Sequence, residues 1–171
     1  SGIINEGKVV NGGFGFAGEF GHFRVINNGR LCTCGRLGCL ETYASATGMV
    51  KSITELDHSE QSKSELLKLA NPSSKDIVEL ALNGDSFALH IMDYTAEILG
   101  NALADFMCFS NPEAYVLFGG CAHAGTFFSD KVKIHMEKNA LNIYKDRTAI
   151  LISELQDRNA AVLGAAAIVF N

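Results

Sequence analysis

Gly18-Glu19-Phe20-Gly21-His22, followed after a short excursion by Cys32-Thr33-Cys34-Gly35-Arg36-Leu37-Gly38-Cys39-Leu40-Glu41, is the stretch on which the reading of this chain turns. One imidazole and three thiols in so short a span, His22 with Cys32, Cys34 and Cys39, match the donor set of a tetrahedral zinc site. Gly35 and Gly38 lie between the last thiols, where a chain folding back on a metal needs backbone angles that other residues resist. Histidine has two ring nitrogens, so His22 can give one to a metal and keep the other for a second task. Glu19 and Glu41 bracket the span. The reading is a metal-tied loop that fixes Glu19, His22 and Glu41 as one polar cluster.

The rest of the composition limits what such a loop belongs to. A chain of 171 residues with 47% hydrophobic and 19% charged residues suits one well-buried domain or one lobe of a larger protein. A net charge of -5 argues against nucleic-acid binding by this chain itself. No apolar run is long enough to span a bilayer, and no secretory signal opens the sequence. The abrupt start at Ser1-Gly2-Ile3 suggests a cut inside a longer protein. Five cysteines leave at least one unpaired in any disulfide scheme, and three cluster within residues 32–39. In an acidic, leaderless chain they read as thiolates of a reducing cytoplasm. Cys108 and Cys121, in apolar surroundings, read as small buried hydrophobes.

In chain order, residues 2–10 read as a hairpin around Asn5-Glu6-Gly7. The glycine-rich residues 11–18 resemble a phosphate cradle, but no lysine follows in the P-loop position, so a packed or flexible loop delivering Glu19 is preferred. Asn27-Asn28-Gly29 predicts a second hairpin over 23–31, which would bring His22 and Cys32 together. Glu41 is expected to open a helix running to about residue 53, where its charge also complements the helix dipole. Residues 54–74 read as a polar excursion with a short helix over 65–70, and 75–83 as an amphipathic helix ended by Gly84. Phe87, Ile91, Thr95, Ile98, Ala102 and Phe106 recur at helical spacing and predict a long buried spine, ended by Asn111-Pro112. Asp93, Glu97 and Asp105, on or near it, read as solvated or surface-paired. Residues 114–118 read as a buried strand, 126–139 as a helix, 148–152 as a strand and 160–170 as a closing helix. Strands alternating with helices give an α/β architecture. Ligands of such sheets gather where strands end. Gly119-Gly120 stops the first of these strands. The pair would let a nucleotide press against the backbone, or it is simply a tight turn.

These residues resemble the signature of the ROK family, named for repressors, open reading frames and kinases. The likeness rests on 18–22 and 32–41, and extends through Gly2-Ile3-Ile4 with Gly7-Lys8, through Asn111-Pro112-Glu113 into Leu117-Phe118-Gly119-Gly120, and through 157–167. The nearest feel is of bacterial glucokinase-like members. The resemblance implies an actin-like ATPase (ribonuclease H-like) fold with two lobes and a sugar in the cleft. Residues 1–171 would be most of the C-terminal lobe, with the N-terminal lobe absent. It implies His22, Cys32, Cys34 and Cys39 as zinc ligands, Glu19, His22 and Glu41 as contacts to sugar hydroxyls, and Gly119 and Gly120 near the adenosine of ATP. Cys121, where many relatives have a smaller residue, departs from the pattern. Kinase members also carry an Asp-x-Gly-x-Thr phosphate loop and an Asn-Asp pair whose aspartate is the general base. Neither motif occurs here, so no catalytic residue is assigned and the chain alone is expected to be inactive.

The chemistry agrees with that assignment. A carboxylate accepts from two neighbouring hydroxyls at once, and such charge-assisted bonds are strong. A closed set of four protein ligands makes the zinc structural. Two carboxylates beside a histidine are also the equipment of acid–base hydrolysis, but the three cysteines make positioning the simpler account. The expectation is a cytoplasmic, dimeric hexose or amino-sugar kinase using ATP and Mg²⁺. The alternatives are the effector-sensing lobe of a sugar-responsive repressor, and a zinc-stabilised interaction module with no ligand.

Overall fold

The spine is the long helix, and the computed structural model places it where the apolar spacing puts it. The structure describes residues 1–57, 63–155 and 162–163. Two short strands, β1 (Ile4–Asn5) and β2 (Lys8–Val9), form the expected N-terminal hairpin. Helices α1 (Ala46–Glu55), α2 (Ser74–Leu82), α3 (Ser86–Ser110) and α4 (Thr126–Asn139) follow. Strands β3 (Ala114–Leu117) and β4 (Ala149–Ile152) pair in parallel on either side of α4, a β–α–β unit. Nearly all of the closing helix expected over 160–170 lies outside the described residues.

Helix α3 buries Phe87, Ile91, Thr95, Ala102 and Phe106, with Ile98 half-buried, so the predicted stripe is the core face. Asp93, Glu97 and Asp105 are exposed, and Asp93 pairs with Lys131 of α4 at 2.5 Å. Helices α3 and α4 cross closely at Gly100, where a Cβ would stand 2.6 Å from the Val132 carbonyl oxygen. Local chemistry sets the helix ends. Ser73 and Asp76 form a capping box on α2, and the Asp85 carboxylate accepts from the N–H groups of Phe87 and Ala88 at the start of α3. Asn111 closes α3 in the left-handed conformation at φ 38°, and Pro112 cannot continue it.

Five expectations are corrected. The helix predicted from Glu41 is a single 3₁₀ turn, Leu40–Thr42, and α1 starts only at Ala46. Its reason is competition: Ser45 takes an extended conformation and caps α1 through the Gly48 N–H, while Arg30 takes up the Thr42 carbonyl. The second hairpin forms its turn, with Asn28 at φ 53°, but segment 23–26 pairs with 38–40 instead of with the residues just after the turn. The short helix expected over 65–70 is a 3₁₀ turn, Leu66–Lys68. The strand over 114–118 is not buried: in β3 and β4 the residues are at most half-buried, and Val116 and Leu151 are exposed. Cys108, expected inside, is exposed on α3; Cys121 is half-buried, and burial pushes its thiol up to about 11.

Candidate metal centre and substrate site

Two 3₁₀ turns carry the site, and their geometry decides which side chains meet. In a 3₁₀ helix residues three apart are eclipsed. Glu19 precedes the turn Phe20–His22, so Glu19 and His22 share a face, with Glu19 Oε2 3.8 Å from His22 Nε2. The turn is held to the spine by its aromatic rings: Phe20 stacks on Phe106 at 4.5 Å, and Phe23 meets the same ring edge-on at 5.2 Å. The second turn, Leu40–Thr42, is bound alongside by the Leu40 N–H donating to the Phe23 carbonyl at 2.8 Å. This puts Glu41 Oε2 3.8 Å from His22 Nδ1. Both carboxylates therefore converge on one imidazole, although the chain between them has looped away and back.

Between the turns lies the thiol loop. The Cys32 N–H donates to the Arg36 carbonyl at 2.8 Å and the Gly35 N–H to the Cys32 carbonyl at 2.9 Å, which folds the chain into a tight knuckle. Gly35 and Gly38 both have positive φ, 83° and 79°. The Gly38 N–H donates to the Arg30 carbonyl at 2.8 Å, and its own carbonyl accepts from Val25. The donor atoms of His22, Cys32, Cys34 and Cys39 all lie within 4.8 Å of one another. Cys34 and Cys39 sulfurs are 3.6 Å apart, and Cys32 Sγ is 3.6 Å from His22 Nδ1. A tetrahedral ion with Zn–S near 2.3 Å and Zn–N near 2.0 Å sets these edges at roughly 3.8 and 3.6 Å. The four groups can thus hold a metal ion, and their softness and spacing suit zinc.

Two of the thiols are shifted in opposite directions. The Arg36 backbone N–H, and then its guanidinium, bring the Cys34 thiol down to about 6, while burial pushes Cys39 up to about 11. A cation bound among the sulfurs would favour their thiolate form. With Nδ1 turned to Cys32, Nε2 is the nitrogen left for other contacts. Glu19 and His22 line an open cleft of about 560 Å³ together with Phe20, Phe23, Arg24, Arg36 and Phe109.

Gly119 and Gly120 sit at the carboxyl end of β3, as expected. Gly119 takes φ 96° and ψ −166°, a conformation closed to other residues, and has open space where a side chain would be. Gly120 is tight for another reason: a Cβ there would meet the Ala46 Cβ at 3.0 Å. The close approach at Gly120 is thus to α1.

Two residues of the site escaped the sequence reading. Arg36 donates to the His22 carbonyl and so ties the knuckle to the imidazole-bearing turn. Arg30 is an arginine whose side chain is only 7% exposed. The one available signal was position, since both arginines fall inside the histidine–cysteine excursion.

A mixed α/β lobe carrying a histidine–cysteine knuckle between two carboxylates is the class of protein that fold and site define. The ROK family model matches residues 1–171, and the chain belongs to the ROK family. It is 38% identical over 167 residues to a glucokinase of Halalkalibacterium halodurans, covering 95% of this chain and 50% of that protein. It is 30% identical over 169 residues to the DNA-binding transcriptional dual regulator NagC of Escherichia coli, covering 99% of this chain and 41% of that one. Among solved structures, a ROK family glucokinase from Streptomyces griseus in complex with glucose and AMPPNP superposes with a TM-score of 0.87 at 31% identity, over 98% of this chain and 55% of that chain. The fold is therefore that of the ROK sugar kinases, an actin-like ATPase fold. The chain spans about half the length of the curated relatives it matches. No helix among the described residues is long and apolar enough to cross a membrane.

Proposed function

We propose that residues 1–171 are the zinc- and sugar-binding C-terminal lobe of an ATP-dependent, glucokinase-like hexose kinase. The observation that carries this reading is the convergence of Glu19 and Glu41 on the two nitrogens of His22, at 3.8 Å each, beside four donors spaced for one metal ion. Carboxylates so placed accept from neighbouring sugar hydroxyls, and His22 Nε2 adds a third contact. A zinc ion held by His22, Cys32, Cys34 and Cys39 supplies a structural tie and fixes the imidazole tautomer. In this reading Gly119 and Gly120 lie near the adenosine of ATP. The N-terminal lobe supplies the phosphate loop and the aspartate that takes the proton from the attacking hydroxyl, and Mg²⁺ accompanies the nucleotide. The whole protein is a cytoplasmic homodimer whose substrate is a hexose or amino sugar.

A second reading has one observation in its favour, the match to NagC over nearly the whole chain. There the same pocket would sense a sugar for a DNA-binding segment elsewhere in the protein. One experiment separates the two and tests the site. In the full-length protein, Glu41→Gln is expected to raise the hexose KM at least about tenfold while leaving the ATP KM within about twofold. Phosphate transfer absent from the wild type, with sugar-dependent release of DNA, would favour the sensor. Equal losses for both substrates in the variant would refute the assignment of Glu41.

A further inference from the structure

Arg30 is a nearly buried charge, and such groups persist only when their donors are matched. Its Nε donates to Glu55 Oε2 at 2.6 Å and its Nη2 to Ser52 Oγ at 2.9 Å, both on α1. Its Nη1 bridges two carbonyls, Thr42 at 2.6 Å and Gly48 at 2.9 Å. The guanidinium lies 4.4 Å from the centre of the Tyr43 ring, and the Tyr43 hydroxyl accepts the Arg30 backbone N–H at 2.7 Å. One side chain thus joins three segments: the turn before the knuckle, the turn carrying Glu41, and α1. Gly48 makes the bridge possible. A Cβ there would stand 2.6 Å from the Tyr43 carbonyl oxygen and 2.8 Å from that of Thr42, so only glycine lets this backbone rest on α1.

Glu41 sits inside that arrangement. Cys39, two residues before it, is a buried member of the thiol cluster. Thr42, one residue after it, is bound to Arg30 and also closes back on the Cys39 carbonyl, through its N–H at 3.0 Å and its hydroxyl at 2.7 Å. The half-exposed Glu41 carboxylate takes its direction from the backbone beneath it, and that backbone is gripped at both ends. The thiol cluster grips one end and Arg30 the other.

We propose that Arg30 is a positioning residue for sugar binding: through the Thr42 carbonyl its guanidinium sets the direction in which Glu41 is presented to the hydroxyls. The proposal rests on the reading that Glu41 binds the hexose. Arginine is required because a lysine ammonium has no planar fork with which to reach acceptors on both sides.

The test uses the intact protein, titrated with D-glucose and with N-acetyl-D-glucosamine, and separately with an ATP analogue. Arg30→Lys is expected to weaken binding of the sugar that the wild type takes by about tenfold, since small misplacements of a positioned group have effects of that order or larger. Nucleotide affinity and zinc content should not change. Ser52→Ala removes a bond to α1 without touching Thr42, and should lower the melting temperature while leaving sugar affinity intact. An Arg30→Lys protein that melts earlier but binds sugar normally, or that loses sugar, nucleotide and zinc together, overturns the proposal. Should Arg30→Lys fail to fold, Arg30→Gln, uncharged and too short to bridge to the Thr42 carbonyl, is expected to weaken sugar alone; unaltered sugar binding there overturns the proposal equally. Glu41→Gln is the control. If it too leaves sugar affinity unchanged, the hexose-site reading is what has failed. If it weakens sugar and Arg30→Lys does not, only the role of Arg30 is refuted.

Discussion

Gly35 and Gly38 look alike in sequence and differ at the scale of single atoms. Both have positive φ, so a side chain at either forces a left-handed backbone, at roughly 1–2 kcal/mol. At Gly35 a Cβ would enter open space, whereas at Gly38 it would stand only 1.7 Å from the Ile26 carbonyl oxygen. Gly38→Ala must therefore push apart the two chain segments that carry His22 and Cys39. Gly35→Ala is expected to lower stability by about 1 kcal/mol and keep its metal. Gly38→Ala is expected to lower it by at least about 3 kcal/mol and to lose metal as well. Thermal unfolding with zinc analysis on both variants checks this, and similar behaviour of the two would show that the knuckle does not rest on segment 23–26.

At the scale of elements, Asp85 joins the start of α3 to the polar excursion before α2. Its carboxylate accepts from the Phe87 and Ala88 N–H groups at 3.1 and 3.0 Å, from the Ser64 hydroxyl at 2.7 Å and from the Glu65 N–H at 2.8 Å. Burial alone would raise its pKa, but the Ala88 N–H, the Ser64 hydroxyl and the other donors outweigh it and hold the carboxyl below the ordinary value. A lowered folded pKa stabilises the fold above the unfolded value, near 3.9, and that contribution fades as pH falls through the folded one. Asp85→Ala should thus lower stability by about 1–2 kcal/mol at pH 7. The gap from wild type should narrow in denaturant titrations below about pH 4. A gap constant down to acid pH would mean that the charge contributes nothing. The cap was not read from the sequence, although the helix it starts was. Apolar spacing made the α3 face legible because burial repeats with the helical period. The donor cluster was legible because soft ligands and glycines are rare in such density. What was not legible came from competition between distant groups. Nothing local to Glu41 reports that Arg30 will take the Thr42 carbonyl and stop a helix there. Nothing in 114–118 reports that its outer face stays open.

At the scale of the whole lobe, removing the proposed zinc tests how the site depends on the core. Binding of a structural zinc contributes roughly 10–16 kcal/mol in small finger peptides, as much as an entire domain is stable by. If the metal held this whole fold together, chelation would unfold all of it. The packing argues otherwise. The buried core cluster is built almost wholly from helices α1 to α4, and residues 18–41 contribute to it little beyond Leu40, with Phe20 and Val25 against its edge. The knuckle is a small unit laid on a larger one through Phe20 and Phe23 on Phe106. Its opening should therefore be local. Treating the intact protein with a strong chelator is expected to leave the helical circular dichroism largely unchanged, to expose Arg24, Arg30 and Arg36 to trypsin, and to weaken hexose binding at least about tenfold, with the effect reversed by added zinc. Cys34→Ser should reproduce the proteolysis without chelator, because it removes the most exposed thiol of the set and leaves the core face untouched. Collapse of the helical signal on chelation would place the metal inside the folding unit of the lobe; full retention of hexose binding would separate the metal from the sugar site.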